Sequence, residues 1–243
     1  MTQPLDPSPD RYLGCAGWTL PRAAADRFPA EGSHLERYAA VFNAVEINSS
    51  FYRPHQPKTY ERWAASTPAH FRFAVKLPKA ITHEAGLVGA DETLARFAGE
   101  AGALGEKLGC ILVQLPPKLA LDPAAASALF AALHARFTCL IACEARHASW
   151  FDESATRLLR EAGVTRVLAH PVVAYTGPFV PTAPTAYVRL HGSPRIYYSS
   201  YEPQQLADVQ AWLARQPASW CIFDNTASGA AVPDALALQA LGR

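Results

Sequence analysis

Apolar and polar positions along this chain fall into two alternating patterns. Short apolar runs stand at Tyr12–Ala16, Val45–Asn48, Phe71–Leu77, Cys110–Leu115, Thr138–Glu144, Thr165–His170, Ala186–His191 and Ser219–Asp224. Between them lie longer amphipathic stretches, at about His34–Phe42, Lys58–Ser66, Asp91–Lys107, Pro123–Arg136, Glu153–Gly163, Pro203–Arg215 and Pro233–Leu241. Apolar residues recurring every three or four positions predict helix, and short apolar runs predict strand. Cys110–Val113 and Cys139–Cys143 show no polar alternation, as expected of strands buried on both faces of a parallel sheet. Eight strands, seven of them followed by a helix, favour a closed α/β barrel over an open sheet. Pro57 opens one helix, Asp122-Pro123 offers an N-cap and a first-turn proline, and Gly163 stops another. The sixth unit breaks the pattern. Pro171–Pro184 carries four prolines and Gly177 with no helical period, which predicts a loop that replaces or shortens the crossover helix.

The 243 residues suit a single TIM (β/α)8 barrel, which typically takes about 250. The expected organisation is a flexible polar segment over 1–10 and one barrel domain over 11–243. Half the residues are hydrophobic and 18% are charged, a balance that builds a core and excludes disorder. A net charge of +1 gives no global attraction to nucleic acid or acidic membranes. The five cysteines form no CxxC pair, and four sit in apolar runs. That argues for reduced, core-packed thiols and against a disulfide framework or zinc cluster. No apolar run approaches the ~20 residues needed to cross a bilayer, and no basic-then-apolar leader opens the chain. A cytoplasmic protein with no membrane partner is expected.

In a barrel of this kind, active sites gather where strands end and βα loops begin. Residues two apart on a strand share a face. Glu46 and Asn48 end the second strand; Lys76 ends the third; Gln114 ends the fourth; Glu144 and Arg146 end the fifth; Arg189 and His191 end the seventh; Asp224 and Asn225 end the eighth. Carboxylates among apolar neighbours need a partner or a shifted pKa, which is what a general acid or base requires. A lysine in such a setting serves as electrophile, anion binder or amine nucleophile, or else forms a salt bridge to Glu46 or Glu144. Arginine forks suit carboxylate or phosphate, and histidine moves protons near neutral pH. His147 and Trp150 follow Arg146 closely, and Tyr52 with Trp18 and the tyrosines of Arg195–Tyr201 could form an aromatic rim. Gly192-Ser193 and Ser228-Gly229, after strands seven and eight, suit a phosphate. His170 with Glu46, Glu144 and His191 makes up a conceivable metal set, opposed by the cations Lys76, Arg146 and Arg189 on the same rim.

These residues come in ordered motifs: Cys-Ala-Gly-Trp18, Val-Glu46-Ile-Asn-Ser-Ser-Phe-Tyr52, Phe-Ala-Val-Lys76, Ile81-Thr-His-Glu84, Val-Gln114-Leu-Pro-Pro, Glu144-Ala-Arg-His147, Ser149-Trp150-Phe, Tyr187-Val-Arg-Leu-His-Gly192 and Phe223-Asp-Asn-Thr226. From about Leu13 to Leu241 the chain thereby resembles the YecE-like family, domain of unknown function 72. The resemblance implies a TIM barrel and brings no established activity; a relationship to metal-dependent DNA-repair endonucleases enters only as an analogy of fold. It implies rim positions at Glu46, Asn48, Lys76, Gln114, Glu144, Arg146, His147, Arg189, His191 and Asn225. The chain departs from the family pattern at His170, where aspartate is usual, and at Ala148, where proline is common. A role that needed that aspartate is in doubt here.

The reading these observations favour is an enzyme, a hydrolase or lyase, acting on a small anionic, phosphate-bearing molecule. Glu46, Lys76, Glu144 and His191 would do the chemistry. Asn48, Tyr52, Gln114, Arg146, His147, Trp150, Arg189 and Asn225 would bind substrate, with neither metal nor cofactor. A nucleic-acid-binding protein and a metal-dependent phosphodiesterase are the alternatives, and the oligomeric state is not legible.

Overall fold

Eight parallel strands close on themselves in chain order: β1 (Arg11–Ala16), β2 (Ala44–Ile47), β3 (Arg72–Lys76), β4 (Leu108–Gln114), β5 (Leu140–Glu144), β6 (Thr165–His170), β7 (Thr185–Leu190) and β8 (Ala218–Phe223). β8 pairs back onto β1 from Arg11↔Ser219 to Cys15↔Phe223. The structure is a computed structural model and describes residues 10–172, 177 and 179–242. The expected flexible N-terminus therefore lies outside the described residues except for Asp10, whose carbonyl accepts from the Ser219 amide and extends the β1–β8 seam.

Helices surround the barrel: α1 (His34–Ala39), a turn α2 (Ser49–Tyr52), α3 (Pro57–Ala65), α4 (Asp91–Ala101), α5 (Pro123–His134), α6 (Glu153–Glu161), α7 (Pro203–Leu213) and α8 (Ala231–Leu241). The end signals act as their chemistry requires. Asp122 Oδ1 accepts from the amides of Ala124 and Ala125, and Pro123 follows it in the first turn. The stretch Asp91–Lys107 is not one helix; it leaves the α form at Ala101 and continues to Lys107 as a 3-10 turn. Among the described residues no helix stands between β6 and β7; residues 173–176 and 178 of the proline-rich segment lie outside the described residues. No helix among the described residues is long and apolar enough to cross a membrane.

Alternation along the strands divides the core in two. Outward residues such as Val45, Ile47, Val75, Ile111, Val113, Ile141, Val188 and Leu190 pack against the helices. Inward residues form a separate cluster of Ala44, Ala74, Cys110, Leu112, Ala142, Val167, Tyr187, Trp220 and Ile222. At the amino-terminal end of the strands Trp220 packs on Tyr12 at 4.5 Å and on Tyr187 at 5.8 Å between ring centroids, plugging the barrel floor. Inward positions at the other end are polar: Glu46, Lys76, Gln114, Glu144, Arg189, His191 and Asp224 are all buried. All five cysteines are free thiols, and all but Cys139 are buried.

Candidate functional site

The polar end of the barrel is organised around one guanidinium. Arg189, fully buried on β7, donates from Nε to Glu46 Oε2 at 3.0 Å and from Nη2 to Glu46 Oε1 at 2.6 Å. Its Nη1 donates to Glu144 Oε2, and its Nη2 also donates to Asp224 Oδ2 at 2.8 Å. Carboxylates from β2 and β5 and from the residue just past β8 thus meet on a single side chain across the barrel. The Tyr187 hydroxyl adds a bond to Glu46 Oε2 at 2.9 Å. Burial opposes ionisation of Glu144 and Asp224, but Arg189 outweighs it and holds both below the usual carboxylate range.

His191 extends this network. Its Nδ1 lies 3.1 Å from Asp224 Oδ2, while Nε2 lies 3.4 Å from Glu144 Oε1, off hydrogen-bond geometry and without another partner among the described residues. Burial works against the imidazolium, yet Asp224 and Glu144 prevail and raise its pKa. Asn48 Nδ2 reaches Asp224 Oδ1 at 3.5 Å, and Asn48 Oδ1 is a buried acceptor without a hydrogen-bond partner among the described residues.

Lys76 behaves differently from the arginines. Among the described residues no carboxylate lies within ion-pair distance of its Nζ, which sits over the Phe51 ring 4.2 Å from the centroid. The salt bridge to Glu46 or Glu144 allowed by the sequence does not form, because both carboxylates are held by arginines. Burial, together with Arg189, pushes the Lys76 pKa down to about 8. Arg146 is the half-buried cation of the rim: it grips Glu144 Oε1 through Nε at 2.8 Å and Nη2 at 2.7 Å, and Nη2 also donates to the Tyr197 hydroxyl at 3.3 Å. His83 lies within the field of these cations. Burial and the charges of Lys76, Arg146 and Lys118 lower its pKa, while its ring meets Phe51 edge-on at 4.9 Å.

Glu46, Asn48, Lys76, Glu144, Arg146, Arg189 and His191 are therefore brought together. Gln114 is a near neighbour, in register with Glu144, but its amide donates to the Leu115 carbonyl. The remaining expected positions go elsewhere. Trp150 is fully buried and donates to the Leu119 carbonyl, bracing the loop after β4. His147 Nδ1 is held at 2.9 Å by the Ser149 hydroxyl. Tyr52 is exposed and edge-on to Phe51. Asn225 is fully buried and ties the Ser199 carbonyl to Asp234. His170 has the wrong parity: Thr165, Val167 and Ala169 face inward, and the His170 ring meets the Tyr201 hydroxyl at 3.2 Å. The metal set of Glu46, Glu144, His170 and His191 is not assembled, and no group of three or more such ligands occurs among the described residues. The loops after β7 and β8 are zipped to each other: Ser228 donates to the Tyr198 carbonyl and Ala227 to the Tyr197 carbonyl. Gly192, at φ +93°, leaves room for the Ser199 carbonyl, 2.6 Å from where a Cβ would lie; the chain it admits is its own loop.

Sequence reasoning underweighted Asp224, which the parity of β8 would have placed beside Glu46 and Arg189. It gave no site role to Lys118, in a turn, or to His83, in the single helical turn Ala80–Glu84, where too few residues stand to show a period; Tyr197 was expected only as part of an aromatic rim.

The profile of the family described as "Protein of unknown function DUF72" matches residues 12–243. The chain belongs to this family. "UPF0759 protein YecE" of Escherichia coli (strain K12) is 30% identical over 165 residues, which are 65% of this chain and 58% of that protein. The chain thus spans little more than half the length of that curated relative. Two crystal structures share the fold. A DUF72 family protein of Enterococcus faecalis V583 superposes with a TM-score of 0.80 at 20% identity, covering 96% of this chain and 95% of that one. A DUF72 family protein of Thermotoga maritima MSB8 superposes with a TM-score of 0.78 at 24% identity, covering 96% and 98%.

Proposed function

We propose that this DUF72 protein is an enzyme that acts on an anionic, phosphate-bearing substrate at the carboxyl-end mouth of its barrel. The observation that carries the reading is the uncommitted charge of Lys76: Glu46, Glu144 and Asp224 converge on Arg189, and among the described residues no carboxylate lies at ion-pair distance from the lysine. A buried ammonium with no carboxylate at ion-pair distance among the described residues attracts an anion strongly. Arg146 and Lys118 extend the same positive field, which together with burial lowers the His83 pKa.

In this reading Lys76 and Arg146 hold the anion. His191 transfers the proton, its Nδ1 side oriented by Asp224 and its Nε2 left for substrate. Glu46 and Arg189 act as positioning residues, since both Glu46 oxygens are already engaged. A divalent metal fits the arrangement less well, because the guanidinium of Arg189 occupies the point on which the carboxylates converge.

Calorimetric titration with inorganic phosphate tests the reading. Wild-type protein is expected to bind at pH 6.5 and to lose affinity as pH rises through about 8, where Lys76 discharges. Lys76→Met should weaken binding at least roughly tenfold. Equal affinity of the variant would overturn the proposal. Turnover is then sought among phosphate monoesters and diesters. A preference for oligonucleotides that weakens steeply with salt would instead favour nucleic-acid binding.

A further inference from the structure

The barrel closes with a short ladder beside this site. β5 and β6 pair only at Ala142↔Thr165 and Cys143↔Arg166, whereas β4 and β5 pair from Cys110↔Leu140 to Gln114↔Glu144. Beyond Arg166 the β5-facing edge of β6 has no strand partner among the described residues. A cavity of about 160 Å³ opens there, with Val167, Ala169, Pro171, Val172, Phe179 and Ile196 among its walls. Glu144, Arg146, Arg166 and His191 line the same space, the Arg166 guanidinium donating to the Val180 and Trp150 carbonyls and to the Thr156 hydroxyl. Glu144 is neutralised by Arg189 and Arg146, so the polar end offers a cation and an imidazole.

Resting on the phosphate reading above, we propose that this cavity receives the uncharged end of the bound anion, and that the end is ring-sized and apolar. The substrate class is then an aromatic or branched-aliphatic phosphate ester, rather than a bare polyol phosphate. The size argument is direct: an apolar protein cavity of about 150 Å³ takes up benzene. The polarity argument agrees. A polyol placed against Val167, Ala169, Pro171 and Phe179 would lose its hydrogen bonds to water without replacement, whereas a phenyl or branched alkyl group gains by leaving water. The direction is set by charge, with the ionic end toward Arg146 and Lys76 and the apolar end between the strands.

Phenyl phosphate and inorganic phosphate are the probes. Wild-type protein should bind phenyl phosphate at least roughly tenfold more tightly, the gain expected from burying a ring. Ala169→Phe and Val172→Trp each fill the cavity from a different wall. Either should abolish the preference while leaving inorganic phosphate affinity unchanged. Val172 is 46% exposed, so Val172→Trp keeps the test usable if Ala169→Phe does not fold. Methyl phosphate, compared with phenyl phosphate on the wild type, repeats the test from the ligand side and should show no gain over inorganic phosphate. Lys76-dependent phosphate binding with no preference for the phenyl ester would overturn this inference and leave the anion site standing. Binding of neither compound would overturn both.

Discussion

Arg189 shows how much of a buried site is decided by one side chain. Its guanidinium is fully buried and touches Glu46, Glu144 and Asp224. Removing a charge from such a cluster leaves its partners desolvated and unpaired, which typically costs about 3–5 kcal/mol. Arg189→Met is therefore expected to lower unfolding free energy by about that amount in urea titration; a loss below ~1 kcal/mol would show that the cluster relaxes to water. The ring of Glu46, Lys76, Glu144, Arg189 and His191 was legible because a strand's period of two leaves no choice once its apolar face is known. The same rule excludes His170, one residue out of phase, and admits Asp224 over Asn225. What sequence could not supply was the pairing. Nothing in the spacing says that the carboxylates will choose Arg189 and leave Lys76 over Phe51, because that depends on distances across the barrel. Trp150 reads in sequence as either a ligand platform or a wedge between loop and barrel, and in the fold it is the buried wedge.

At the scale of elements, β1 and β2 are joined by a side chain as well as by their own backbones. The Tyr38 hydroxyl of α1 accepts from the Cys15 amide at 2.7 Å and donates to the Ala44 carbonyl at 3.0 Å. Gly14 makes room for this bridge: a Cβ there would lie 1.9 Å from the Ala44 carbonyl oxygen and 2.8 Å from the Tyr38 hydroxyl. Tyr38→Phe strands a buried donor and a buried acceptor, and is expected to cost about 1–3 kcal/mol per unsatisfied group, measured by thermal and urea unfolding. Gly14→Ala should be worse, since backbone would have to move. Equal stability of Tyr38→Phe and wild type would mean the two strands can re-pair directly. The strands themselves were legible because parallel barrels bury both faces and concentrate apolar residues into runs. The helical turn at Ser49–Tyr52 and the π-turn at Ala80–Glu84 were not; single turns carry too few residues to show a period. The short β5–β6 ladder was equally silent, because both strands read as apolar runs whether or not their ends touch.

Across the whole molecule the barrel interior grades from an aromatic floor through small and aliphatic residues to an ionic mouth, and the ionic end makes stability depend on pH in opposing ways. Glu144 and Asp224 are held below their ordinary values of 4.5 and 3.8; their contribution is present above those values and is lost as pH falls through the lower folded ones. His191 is raised above 6.5, so its contribution is full below 6.5 and is lost as pH rises through its folded value. Lys76 acts in the reverse sense. Its folded pKa of about 8 lies below the ordinary 10.5, so between these values the unfolded chain binds a proton that the native protein does not. Stability must then rise with pH across that window. The gain is on the order of 3 kcal/mol, from a shift worth about 1.4 kcal/mol per pH unit. Because wild type carries the other titrations as well, the difference between wild type and Lys76→Met isolates the lysine. Urea unfolding of both proteins from pH 7.5 to 10.5 should show the wild type gaining on the variant throughout, with the slope steepest between the two pKa values. A difference that stayed flat would mean that Lys76 keeps its proton in the fold, and the pH at which phosphate binding fails would then move upward with it.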